Sequence, residues 1–238
     1  MILTLSAPLL KDVQIRYTTD GSEPTAASPL YDKPLTLTKS AEVRATAFRD
    51  GKPVSLVGSG TYVLLPPAPP APDVYLAELK PMSRQYPHAI WHYWPKVDHS
   101  HDGVPLSIRG QTYRHGLGMR APANEQYELK ADYERFVGLA GVDDGVLRQA
   151  ENGRFWAMHA SVQFRVFVDG ELAAESPILR ISQGPWPFDV KLPQGARRID
   201  LVAADAGSRS PYDLGNWVEA GFIRKGSAGR LAHGRCAR

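Results

Sequence analysis

The chain has one cysteine, Cys236, in 238 residues. It therefore has no internal disulfide, and its domains must be held by their cores. Cys236 is free for intermolecular pairing at most. No run of Lys and Arg of the kind that tracks phosphate is present, and the net charge is only +3. Nucleic acid is thereby disfavoured as a partner. No apolar run approaches the length needed to span a bilayer. The opening residues Met1, Ile2, Leu3, Thr4 and Leu5 lack a basic region and a cleavage site. They read as a strand and not as a signal peptide. No stretch carries a long helical period, and no nucleophile stands in a recognisable pattern with a base.

Turn formers are plentiful: Gly 21 and Pro 20. They suit many short strands joined by tight turns. Five prolines fall within Leu65–Pro72. Such a run forces a polyproline II spacer of about 3 Å per residue. It separates a first module, residues 1–64, from a second, residues 73–225. Residues 226–238 lack periodicity and read as a disordered tail.

In the first module Val13, Ile15 and Tyr17 alternate with polar neighbours, as do Leu35 and Leu37, and Val43, Ala45 and Ala47. Asp20 with Gly21 and Asp50 with Gly51 mark turns between these runs. A small β-sandwich follows. In the second module Val162, Phe164, Val166 and Val168 alternate, and Asp169 with Gly170 turns the chain back as a hairpin. Ile199, Leu201 and Ala203 point inward along another strand. Residues 136–142 are apolar on both faces, as in a central strand. The fold class is all-β, with two β-sandwich domains.

Four features bear on chemistry. Asp143 and Asp144 follow the central strand. Adjacent strand residues face opposite ways, and a glycosidase needs two carboxylates about 5 Å or more apart across one bond, so this pair reads as a strand-ending turn. His99 and His101 would share one face of a strand, a start for zinc, but no Cys partner or helical His pair accompanies them. Trp91, His92, Tyr93 and Trp94 form an aromatic loop between Pro87 and Pro95. Sugar rings pack C–H faces on such planes, although rings can equally plug the end of a sandwich. A second aromatic loop holds Phe155 and Trp156, and a third holds Trp186 between Pro185 and Pro187. Arg120, Arg148 and Asn152 would add polar contacts if loops from several strand pairs converge.

The order of Gly116, Leu117, Gly118 and Met119, then Gly141, Val142, Asp143 and Asp144, then Asp205, Gly207, Asp213 and Trp217, resembles the NPCBM family of carbohydrate-binding modules. The resemblance implies a galactose-binding-like jelly roll attached to glycoside hydrolases, without catalytic residues, acting outside the cell or in the periplasm. Relatives of this type bind galactose-containing glycans. Arg120 and Leu214 stand where the family has histidine, and Asn216 where it has aspartate. The stretch Ile15–Thr25, with Tyr31, Val43–Phe48 and Gly51, resembles the chitobiase/hexosaminidase C-terminal-type domain, an immunoglobulin-like accessory. The expected function is non-catalytic carbohydrate binding through Trp91, His92, Trp94, Arg120 and Trp156, with a structural calcium on Asp143, Asp205 and Asp213. The alternative is a structural spacer or protein-interaction module.

Overall fold

The computed structural model describes residues 1–85, 94–181, 183–207 and 211–227. The chain divides into two compact units, Met1–Leu65 and Pro66–Arg238. The first is built from β1 (Ile2–Leu3), β2 (Gln14–Thr18), β3 (Leu35–Thr36), β4 (Ala41–Arg49), β5 (Lys52–Pro53) and β6 (Gly58–Tyr62). Strand β1 pairs β3, while β4 pairs β2, β5 and β6. Of the alternating residues anticipated from the sequence, Ile15, Tyr17, Leu35, Val43, Ala45 and Ala47 fall on β2, β3 and β4, whereas Val13 and Leu37 lie just outside the strands; Val43, Ala47 and Phe48 are buried. Asp50 (φ 50°) and Gly51 (φ 73°) make the left-handed turn between β4 and β5. The opening residues are a strand, as expected: Ile2 and Leu3 pair with Thr36 and Leu35.

The second unit contains β7 (Val74–Tyr75), β8 (Ser83–Gln85), β9 (Lys96–Val97), β10 (Leu106–Ile108), β11 (Gln111–Tyr113), β12 (Gly116–Arg120), β13 (Ala123–Glu128) and β14 (Tyr133–Val142). A short helix α1 (Gly145–Glu151) follows, then β15 (Ser161–Val168), β16 (Glu171–Glu175), β17 (Leu179–Arg180), β18 (Trp186–Lys191), β19 (Arg198–Asp205) and β20 (Leu214–Arg224). One sheet runs β18-β14-β20-β12-β9, with β7 also on β20. The other runs β16-β15-β19-β13-β8, with β17 on β15. Every pairing is antiparallel.

The sheets pack face to face over one core. Trp217 of β20 is fully buried and meets Phe164 of β15 edge-on at 5.2 Å, closing the two layers on each other. Phe136 and Phe188 complete the aromatic cluster. Residues 136–142 form most of the central strand β14, between β18 and β20, as their two apolar faces predict. The Asp169–Gly170 hairpin pairs Val168 with Glu171.

The long connection from Asp98 to Tyr113 lies flat on the outer face of the first sheet. It approaches so closely that a Cβ on Gly118 would stand 2.4 Å from the His99 carbonyl oxygen, and one on Gly141 would stand 2.7 Å from the Ile108 side chain. This connection corrects one expectation. His99 and His101 lie in a turn and not on a strand, so no strand face holds them together. A second correction concerns Trp186, which opens β18 and packs against the core and is not a loop residue.

At the end of the sandwich where β14 begins, Val74 pairs Phe222, and Asp73 accepts hydrogen bonds from Arg224 N at 2.9 Å and Ser227 Oγ at 3.0 Å. The first and last strands of this unit are thus tied side by side.

Candidate functional site

The strand registers place the sequence-nominated residues at the opposite end. Strand β14 ends at Val142 beside Gly215, and β12 ends at Arg120 beside Leu214. Lys96 of β9 pairs Gly118, so Trp94 precedes it toward the same end. Across the core, Gln85 pairs Asn124, Val162 pairs Asp205, and Ser161 pairs Arg180. Trp94, Arg120, Asp143, Trp156, Asp205 and Asp213 are therefore gathered on connections that meet at one end. Trp91 and His92 lie outside the described residues, as does Cys236.

Two indoles are open to solvent here. Trp94 is 47% exposed and Trp156 is 71% exposed, with Phe155 beside it at 73%. The Trp156 ring sits on a 3-10 turn, Phe155–His159, that follows α1 through Gly153 (φ 82°). The backbone turns there in a form that glycine alone adopts without cost. A polar chain locks this turn. Gln149 of α1 donates to Asp102 Oδ2 at 2.7 Å and accepts from Arg154, whose guanidinium lies 5.9 Å over the Tyr212 ring. Residues from three separate connections are joined in this way.

Beneath the surface lies Asp143, 1% exposed. Its Oδ1 accepts from Gly145 N at 2.6 Å, and its Oδ2 from Asn216 Nδ2 at 2.5 Å. Arg148 stands 3.6 Å from Oδ1. Burial pushes the Asp143 carboxyl above the ordinary carboxylate range, against the lowering effect of the Asn216 and Gly145 donors. Asp144, which closes the strand, takes Gly110 N at 2.8 Å. The pair is thus the strand-ending turn that the sequence implied, with the two carboxylates serving different connections. Asn216 also donates to Ser107 O at 3.2 Å. It bridges β20, the turn after β14 and the β10 strand.

Asp213 is buried and accepts from Ser161 N at 2.8 Å, while Asp205 is exposed and accepts from Gly207 N at 2.8 Å. Each carboxylate holds at least one protein N–H. Among the described residues, no three His, Cys, Asp or Glu side chains are grouped as a metal ion would require.

Sequence reasoning missed Arg84, Glu125 and Gln149. Glu125 carried a signal: it is a charge at an inward position of a strand, between Ala123 and Tyr127. Gln149 and Arg84 carried none, because their partners lie 47 residues away on another connection and across a strand pair, respectively.

Comparison with known proteins places this arrangement in context. The structure of CBM51 from Clostridium perfringens GH95 in complex with methyl-galactose is 25% identical. It covers 63% of this chain and 99% of its own, with a TM-score of 0.51. The CBM51-2 and INT domains from Clostridium perfringens ZmpB are 21% identical and cover 84% of this chain and 39% of theirs, with a TM-score of 0.55. They share the fold. The second unit has the fold of these CBM51 modules, the first of which is seen in complex with methyl-galactose.

Among curated proteins, one named as an endo-alpha-N-acetylgalactosaminidase from Renibacterium salmoninarum is 24% identical over 81% of this chain and 12% of its own length. The Alpha-1,3-galactosidase B of Akkermansia muciniphila is 26% identical over 56% of this chain and 16% of its own. The chain thus spans about an eighth of the first of these relatives and about a sixth of the second. A family profile described as Fn3 associated matches residues 3–62. The profile described as NPCBM/NEW2 domain matches residues 72–223, most of the chain, and with the two-sheet fold and the loop end just described it shows that the chain belongs to the NPCBM/NEW2 domain family.

Proposed function

We propose that the second unit binds a glycan at the loop end of its sandwich and tethers a glycoside hydrolase to that glycan. The observation that carries this reading is the convergence of two solvent-open indoles, Trp94 and Trp156, on one end beside Arg120 and the Gln149–Arg154–Tyr212 chain. Flat apolar faces accept the C–H side of a sugar ring, and the guanidinium and amide groups supply planar partners for hydroxyls. Contacts of this kind give weak individual affinity, millimolar to micromolar, or about 4–8 kcal/mol. Repetition along a polymer raises the avidity.

Galactose-containing glycans are the first substrate class. The reading is supported by the methyl-galactose held by the 25% identical module and by the galactosidase among the curated relatives. Arg120 stands at this end where the family has histidine, while Leu214 and Asn216 are buried beneath it, so Arg120 is the departure that bears on which sugar is preferred. The first unit is read as an accessory of the chitobiase C-terminal type. The parent protein is read as one that acts outside the cell, where such glycans are. Trp91 and His92 belong to the proposed site by their place in the sequence.

The test is a glycan array with the purified chain, run with calcium and again with chelator. Binding to galactose-terminated glycans is expected. Trp94→Ala and Trp156→Ala should each reduce it at least tenfold, about 1.4 kcal/mol, while leaving the melting temperature unchanged. Loss of signal in chelator would make a bound cation such as calcium part of the site. A blank array in both conditions would overturn the reading in favour of a structural spacer.

A further inference from the structure

Glu125 is fully buried on the inward face of β13, where its neighbours Ala123 and Tyr127 are apolar-facing and buried. Arg84 stands directly opposite it in the β13–β8 register, with Nε 2.8 Å from Glu125 Oε1. Tyr127 donates its hydroxyl to Oε2 at 2.6 Å. The Arg84 guanidinium then lies over the Trp94 ring, 5.8 Å from its centroid.

Only one charge of this pair is buried: the Arg84 side chain is 32% exposed, so Glu125 gives up its hydration for a partner that keeps part of its own. An apolar residue at position 125 would serve the core of this sandwich as well or better. What the pair does provide is a cation fixed in position. Glu125 takes Arg84 from one side and leaves the flat guanidinium against the indole on the other. A guanidinium over an aromatic face is attracted by the ring quadrupole. We propose that Arg84 is a positioning residue for the sugar site: held by Glu125 and Tyr127, it braces one face of Trp94 and presents the other to the ligand. This rests on the reading of Trp94 as a sugar platform. The brace removes rotamer freedom from the indole before the ligand arrives, so less ordering is required on binding.

The experiment is a titration of the full chain with methyl-galactose and with the glycans that bind on the array, for wild type and four variants. Arg84→Ala alone would strand a buried carboxylate and so mix a loss of folding with a loss of binding. The test therefore uses Arg84→Met with Glu125→Leu, which replaces the pair by an apolar one. This double variant is expected to fold, to bind about five- to tenfold more weakly, and to show tryptophan fluorescence more open to iodide quenching than wild type, a difference that disappears in the Trp94→Ala background. Arg84→Lys, which keeps the cation, should recover binding to within about threefold. Added to Trp94→Ala, the double variant should weaken binding no further, because the brace acts only through that ring.

Wild-type affinity in the double variant, or a further loss of equal size on Trp94→Ala, would overturn the brace while leaving the sugar site standing. Trp94→Ala binding like wild type would also overturn it. A wild-type chain that binds neither methyl-galactose nor any array glycan would overturn the sugar site itself, and the brace with it.

Discussion

At the scale of single residues, Asp143 shows how a motif that looks catalytic serves architecture. Both its oxygens are occupied by N–H donors, and its burial excludes a substrate. Asp143→Ala strands the Gly145 amide and the Asn216 side chain. A cost of about 1–3 kcal/mol is expected, measured by urea denaturation. The cost should vary with pH. Because the folded state raises this carboxyl above its ordinary 3.8, the folded protein holds the proton more readily than the unfolded chain does. The stability due to the group is therefore fully present below that value and is lost as pH rises through the folded-state value. The penalty of Asp143→Ala should be larger near pH 4 than at pH 7. A penalty that grows with pH would mean that the buried group is held as a stabilised anion.

At the scale of elements, the connection from Asp98 to Tyr113 depends on the absence of side chains beneath it. A methyl group on Gly118 would meet the backbone of His99, Ser100 and His101 at 2.4–2.5 Å. Backbone cannot step aside as a flexible side chain can. Gly118→Ala should cost about 1–3 kcal/mol by thermal denaturation and loosen this connection in hydrogen exchange. An unchanged melting temperature would show that the connection can lift. The strands themselves were legible because period-2 alternation reports one buried face. Val162 to Val168 and Ile199 to Ala203 lie on the strands so predicted. The β10–β11 hairpin and helix α1 were not legible. Each is too short for its period to register, and each is positioned by contacts from distant segments, such as Gly110 N on Asp144. The aromatic loops were legible as clusters but not as places: Trp186 proved to start a strand, whereas Trp156 proved to be open. Nothing local distinguishes them, since exposure is decided by what packs above.

At the scale of the molecule, the second unit carries its own closed core, with Trp217 and the surrounding phenylalanines sealed between two sheets. Residues 66–227 expressed alone should unfold cooperatively and bind glycan with the affinity of the whole chain, measured by calorimetry. Weaker binding by the fragment would assign the first unit a share in recognition. The gathering of the candidate residues at one end of the second sandwich follows from registers that no motif encodes. The sequence supplied the candidates, and the topology brought them together.

The pairing of Val74 with Phe222, tied by Asp73 to Arg224 and Ser227, has a consequence for assembly. The unit is entered and left at neighbouring points on its blunt end, like a bulb in a socket. It can be spliced into a surface turn of a larger enzyme without parting the host's backbone by more than a strand's width. Wherever it is inserted, the proposed sugar site lies at the end of the unit opposite the splice points.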